Sequence, residues 1–232
     1  IGLDLPNKQV ICQEHAPIAF DWLSIDIGST PAMAAIPGAV EYAIPAKPVP
    51  QFLAAWHHLV GSLPFDSENF GDRPLRLGIV GGGAGGVELA LTMQTRLRQL
   101  FKVGGLSPAL VEIHLFHRQF NLMTGYPTSV GKCFHQLLMQ RGIHLHLGET
   151  VRQIAVISES ESISDRDAQA LEKIIYCESG LTEICDDIFW VTHAIAPTWL
   201  QASGLATDER GFILVNDTLQ SISHPDIFAT GD

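Results

Sequence analysis

Apolar positions along the chain change period several times, and each change marks an element. Leu75-Arg76-Leu77-Gly78-Ile79-Val80 is a nearly continuous apolar run of the length expected for a buried strand. It passes directly into Gly81-Gly82-Gly83-Ala84-Gly85-Gly86. From Val87 to Leu100 the apolar residues Val87, Leu91, Leu97 and Leu100 recur at helical spacing among Glu88, Gln94, Arg96 and Arg98. After a loop at Gly104-Gly105-Leu106-Ser107-Pro108, the run Leu110 to Phe116 reads as a second strand. Strand, glycine turn, helix and strand make a βαβ unit, which implies a parallel sheet. Thr128 to Arg141 reads as another helix, with Val130, Phe134, Leu137 and Leu138 on one side and Gly142 placed to end it. Ile143 to Leu147 then alternates as a third strand.

The flanks are less regular. Thr150 to Ile157 and Ala170 to Cys177 are β-branched stretches around a polar Ser/Glu loop, Ser158 to Asp165, and read as a hairpin or meander. Ile188 to Thr192 is a further buried strand, with short later ones at Phe212 to Val215 and Asp226 to Ala229. Upstream, Phe20 to Ile25 reads as a strand and Gly28-Ser29-Thr30-Pro31 as a turn, part of a sheet whose partners lie elsewhere in the sequence. Pro48 to Leu63 predicts a helix whose stripe of Phe52, Trp56, Leu59 and Leu63 is core, since proline suits a first turn. Asp66 to Arg73 has linker composition.

Composition narrows the class. The 232 residues and 25.3 kDa allow one crowded domain or two smaller ones, and 46% apolar residues with a mean hydropathy of +0.18 exclude disorder and a coiled coil. A net charge of −11 excludes the electrostatic footprint of a nucleic-acid binder. No apolar run reaches the length of a bilayer span and the start carries no secretory signal, so the expectation is a cytosolic protein, or one peripheral to a membrane in a longer parent. Absence of an initial Met and a stop directly after a strand-like stretch suggest a piece of a longer chain. Cys12, Cys133, Cys177 and Cys185 form no C-x-x-C pair, so no redox dithiol is expected.

The candidate chemistry lies in the glycines. Gly81-x-Gly83-x-x-Gly86 between a strand and a helix matches the dinucleotide fingerprint. The first glycine makes the tight turn, the second lets bare backbone approach a pyrophosphate, and the third permits close helix packing. Gly82 and Ala84 complete a loop whose helix N-terminus aims free N–H groups at the anion. The second half of the fingerprint departs from the pattern: the second strand ends in Phe116-His117-Arg118 without a carboxylate, and His117 lies 31 positions after Gly86. His117 and Arg118 suit a 2′-phosphate or are a solvated strand end, and NAD versus NADP stays open. His144 and His146 face the same way on one strand, but with no third ligand near in sequence they are read as surface histidines and no metal is assigned.

Two further stretches carry a resemblance. Phe20 to Pro31 looks like the strand and turn that flavoprotein pyridine-nucleotide oxidoreductases place before their NAD(P) domain, and His224 to Asp232 resembles their second flavin motif. With the glycine turn between them, the chain resembles the FAD/NAD(P)-dependent pyridine nucleotide-disulfide oxidoreductase superfamily in its type II NADH dehydrogenase-like branch. More narrowly, Ser24 to Pro31, Lys47-Pro48, Trp199 to Leu205 and Leu219 to Pro225 are similar to the oxidoreductase module fused to selenide, water dikinase. The resemblance implies an α/β fold: a Rossmann-like NAD(P)-binding domain with a β-meander over 73–196, inserted in a partial FAD-binding domain of three-layer ββα type, formed by 1–72 with its linker and the return segment 197–232.

On that resemblance Gly81, Gly83 and Gly86 hold the pyridine-nucleotide pyrophosphate, Glu88 stands near the nicotinamide, and Gly28, Gly231 and Asp232 line the flavin side. His193, in Val191-Thr192-His193, stands where the family has a glycine, and either narrows the nicotinamide slot or marks a loop that sits differently. The family's first flavin-binding βαβ unit, with its own glycine motif, is absent from these residues, so the fragment alone is expected to be inactive. The implied function is hydride transfer from NAD(P)H to FAD and on to an unnamed acceptor, with a non-catalytic dinucleotide-sensing module as the rival. The implied partners are small-molecule dinucleotides, a fused kinase domain and a second copy in a homodimer.

Overall fold

The computed structural model describes residues 1–64, 70, 73–157, 172–192 and 194–231. In chain order the first segment has β1 (Gly2–Asp4), β2 (Gln9–Ile11), β3 (Ile18–Ala19), β4 (Leu23–Ile25) and β5 (Thr30–Pro31). The middle contains α1 (Ala39–Tyr42), β6 (Ile44–Pro45), α2 (Val49–Ser62), β7 (Leu75–Val80), α3 (Ala84–Val103), β8 (Val111–His117), α4 (Thr128–Gln140), β9 (His144–Leu147), β10 (Val151–Val156), β11 (Lys173–Cys177), β12 (Thr182–Cys185) and β13 (Asp187–Trp190). The last segment adds β14 (Ala194–Ile195), α5 (Thr198–Ala202) and β15 (Ile227–Ala229). These elements form two compact units, one of 33–193 and one of 1–32 with 194–232.

The larger unit is built on a five-stranded sheet in the order β6-β13-β7-β8-β9. Every pairing in it is parallel. Strict alternation sends Leu75, Leu77 and Ile79 of β7 and Val111, Ile113 and Leu115 of β8 to one face, where α2, α3 and α4 cover them. Val80, Phe116, Ile188 and Trp190 point to the other face and meet the antiparallel meander β10-β11-β12. The result is helices, parallel sheet and meander in three layers. Gly78 lets the meander pack closely here, since a Cβ on it would lie 2.9 Å from Ile175 Cδ1 and that side chain would have to shift.

Residues 33–64, grouped above with the first segment, pack within this larger unit. Ala39 and Ala43 are buried against the meander cluster, β6 pairs with β13, and Phe52 of α2 meets Phe189 edge-on at 5.8 Å between centroids. The buried stripe of α3 is Val87, Ala90, Met93, Gln94, Leu97 and Phe101, wider than the leucine spacing indicated, with Leu91 and Leu100 only half-buried. Gln94 Nε2 donates to the Arg141 carbonyl at 3.2 Å and Arg98 Nη1 to the same oxygen at 3.0 Å, tying α3 to the end of α4.

The smaller unit joins a three-stranded antiparallel sheet of β1, β2 and β3 to two strand pairs, antiparallel β5 with β14 and parallel β4 with β15. The partners of the Phe20 to Ile25 stretch thus come from the far end of the sequence, as expected. Three expectations need correction. Gly28-Ser29-Thr30-Pro31 is not only a turn, since Thr30 and Pro31 are paired with Ile195 and Ala194. Phe212 to Val215 forms isolated bridges, Thr207 with Ile213 and Val215 with Ser221, instead of a strand. β12 was not anticipated, because four residues that include Thr182 and Glu183 give no apolar run. The Asp66 to Arg73 linker and the Ser158 to Asp165 loop lie outside the described residues, except for Phe70 and Arg73.

Candidate functional site

The glycine turn leaves β7 where the strand's backbone is still tied to its neighbour: Gly81 N–H donates to the Phe116 carbonyl at 2.9 Å. Gly81 has φ +129°, and a Cβ there would sit 2.8 Å from the Val191 carbonyl oxygen, so only glycine makes this bend. Gly86, inside the first turns of α3, would place a Cβ 1.7 Å from the Gly81 carbonyl oxygen. Its absence lets the helix start against the strand end. Gly83 is the N-cap, with extended backbone that any residue can adopt and no side-chain cap bond, and a Cβ there would meet nothing within 4 Å. Open space therefore stands in front of a helix N-terminus whose first N–H groups have no intrahelical partner. Ala84 and Glu88 are exposed on that first stretch of α3. A dinucleotide pyrophosphate fits this cradle by shape and by dipole.

His117 has a role that its position at the strand tip did not reveal. Its Nδ1 accepts the Gly82 N–H at 3.1 Å, and a Cβ on Gly82 would lie 2.6 Å from the imidazole Cγ. Nδ1 can accept only while the ring is neutral, so His117 is a latch on the glycine turn. Met123 N–H, donating to the Gly82 carbonyl at 2.9 Å, holds the turn from the following loop. Arg118 is exposed at the same strand end. His193 lies outside the described residues.

In the smaller unit, β4 and β15 end together. Thr230 N–H donates to the Ile25 carbonyl at 3.1 Å, and beyond it Gly28 (φ +68°) and Gly231 (φ +98°) take conformations that favour glycine. Both glycines line a recess of about 240 Å³ with Ile25, Ile27, Leu200 and Thr230. A Cβ on Gly231 would lie 2.8 Å from Asp26 Oδ1. Asp232 lies outside the described residues.

The family model for pyridine nucleotide-disulphide oxidoreductase matches residues 1–232. The chain belongs to that family. Two solved structures it resembles, each at 20% identity, are an FAD-dependent pyridine nucleotide-disulphide oxidoreductase from Desulfovibrio vulgaris and a water-forming NADH oxidase from Lactobacillus brevis bound to NADH. The chain is 28% identical to an alternative NAD(P)H-ubiquinone oxidoreductase of Arabidopsis thaliana, over 99% of this chain and 43% of that protein. Among solved structures it superposes on a ferredoxin reductase from Rhodopseudomonas palustris with a TM-score of 0.71 at 18% identity, covering 100% of this chain and 48% of that one. NDH2 from Plasmodium falciparum, solved with NADH, gives 0.71 at 17% identity over 100% and 48%. The chain spans about half the length of the curated relatives it matches.

Within the family's architecture, the two glycine-bearing sites divide by unit. The turn at Gly81 to Gly86 lies on the larger unit, and the recess at Gly28 and Gly231 belongs to the smaller one.

Proposed function

We propose that the protein carrying this chain transfers hydride from NAD(P)H to FAD and passes the electrons to a further acceptor. The observation that carries this reading is the Gly83 cradle, open space at an uncapped helix N-terminus, held by three neighbours that tolerate no side chain. Nicotinamide and flavin, when bound, supply the two-electron chemistry, and the protein's part is to bind, orient and exclude water. Gly83, Ala84 and the first turn of α3 would hold the pyrophosphate with backbone N–H groups. His117 would keep Gly82 in register, Gly28, Gly231 and Asp232 would face the flavin side, and Glu88 and His193 would stand toward the nicotinamide. His117 is engaged with the turn, so Arg118 is the cation we assign to a 2′-phosphate, with either nucleotide admitted because no carboxylate at the tip repels it.

The similarity of Trp199 to Leu205 and Leu219 to Pro225 to the module fused to selenide, water dikinase supports a parent with such a kinase. Selenide-dependent ATP turnover by the full-length protein would check it.

The main experiment has two arms. Titration of this chain with NADH and NADPH, followed by nicotinamide fluorescence, is expected to show binding that Gly83→Trp abolishes; no binding by the wild type refutes the cradle. The full-length protein is expected to purify yellow and to oxidise NAD(P)H with an artificial acceptor, whereas this chain alone does not turn over. A colourless, inactive full-length protein that still binds dinucleotide would establish the sensing module instead.

A further inference from the structure

The meander-facing side of the parallel sheet carries a polar stripe that the dinucleotide site does not use. Arg76 of β7, Glu112 and His114 of β8, and His144 and His146 of β9 all occupy positions of the same parity, opposite to the face the helices cover. Register places His114 beside His144 and Phe116 beside His146. The ring pairs are nearly parallel, at 4.6 Å and 4.4 Å between centroids. On the diagonal, His114 and His146 have planes 11° apart and centroids 5.3 Å apart, yet Nδ1 of His114 is 3.0 Å from Nε2 of His146. Those three values describe rings lying nearly edge to edge, nitrogen facing nitrogen. Glu183 comes down from β12 of the meander and sets its Oε2 3.8 Å from the same His114 Nδ1.

We propose that His114 Nδ1, His146 Nε2 and a carboxylate oxygen of Glu183 form a binding site for a divalent transition ion of the zinc class, with a water in the remaining position. The three donor atoms lie within 4.8 Å of one another. Two imidazoles and one carboxylate are a ligand set that zinc uses with an open position, and imidazole donors disfavour Mg²⁺ and Ca²⁺. Two ligands about 2.1 Å from a tetrahedral ion stand about 3.4 Å apart. The observed 3.0 Å and 3.8 Å bracket that separation, and an ion is admitted when both imidazole rings turn so that the lone pairs now facing each other converge on it.

The surroundings fit the same use. His114 Nε2 has no hydrogen-bond partner among the described residues and lies 4.0 Å from Glu112 Oε2. A metal-bound imidazole usually sends its other N–H to such a carboxylate. Glu112 is itself steadied by Arg76 Nε at 3.1 Å. Phe116 holds the His146 ring plane.

The test uses the full chain stripped with chelator and titrated with Zn²⁺ against a fluorescent competitor, then with Co²⁺ followed by its visible absorption. The expectation is one ion per chain, lost in His146→Gln and in Glu183→Gln, weakened about tenfold in Glu112→Gln, and unchanged when the exposed helical His58 is replaced by Gln. Circular dichroism and a urea midpoint establish that each variant is folded. Zn²⁺ binding with the same stoichiometry in folded His146→Gln and Glu183→Gln, or no binding by the wild type, overturns the proposal and leaves a hydrogen-bonded histidine pair. Dinucleotide titration of the same variants is expected to be unchanged, which separates this site from the glycine turn.

Discussion

Five glycines in six positions look interchangeable in the sequence, and the structure gives them different constraints. Gly83→Val places a side chain into the open cradle on backbone that accepts any residue, so dinucleotide binding is expected to disappear while the melting temperature stays within a degree or two of wild type. Gly86→Ala drives a methyl into the Gly81 carbonyl and is expected to cost about 3 kcal/mol, read as a lower urea midpoint. If Gly83→Val instead unfolds the chain, the assignment of open space is wrong. His117→Ala removes the acceptor of the Gly82 N–H and is expected to weaken NADH binding about fivefold, the worth of one neutral hydrogen bond. His117→Asn, which keeps an acceptor near the same point, should recover most of it. Arg118→Ala is expected to weaken NADPH more than NADH. At this scale the turn, with its bend at Gly81 and its close helix packing at Gly86, was legible in the sequence, but the latch was not. A histidine at a strand tip reads as a possible cation, and only the distance to Gly82 shows it to be an acceptor.

Strand alternation decides what each element offers. Odd positions of β7 and, as far as Leu115, of β8 are apolar, whereas the even positions mix Arg76, Glu112 and His114 with Val80 and Phe116. Sequence spacing could place His144 and His146 on one face; the register that brings them beside His114, and the meander strand that brings Glu183, are contacts between residues far apart in the chain. Protonation of metal-free His114 is opposed in the folded state, where burial holds it at about 3 against 6.5. The unfolded chain therefore binds the proton more readily. Stability is complete above pH 6.5 and is expected to fall as the pH drops toward 3, and His114→Phe should flatten that decline in a urea-midpoint series.

The meander also buries two thiols. Desolvation, with Glu149 next, pushes Cys177 up to about 12, and burial raises Cys185 as well. Thiolate is the reactive form, so at neutral pH iodoacetamide is expected to label exposed Cys133 in the folded chain and to reach Cys177 and Cys185 only after denaturation. Early labelling of Cys185, followed by mass spectrometry, would contradict the packing of β12 on the sheet.

At the scale of the molecule, the main helices and the strands β7, β8, β9 and β13 of the larger unit follow from period and turn chemistry written along the sequence, whereas the meander is completed by β12, which that period does not mark. Arg73 ties the start of β7 to the meander side through Glu172 and Asp186, the latter at 2.6 Å. Glu172 is buried, so Arg73→Met is expected to cost about 3 kcal/mol by leaving its carboxylate without this cation. No described helix is long and apolar enough to cross a membrane.

The sequence by itself determined the βαβ core, the glycine turn and the family, because these rest on local periodicity and on the conformational freedom of single residues. Tertiary structure alone decided which distant segments pair, where residues 33–64 pack, what His117 holds, and that His114, His146 and Glu183 meet. Those outcomes depend on side chains brought together by sheet register and layer packing, which one-dimensional spacing does not encode.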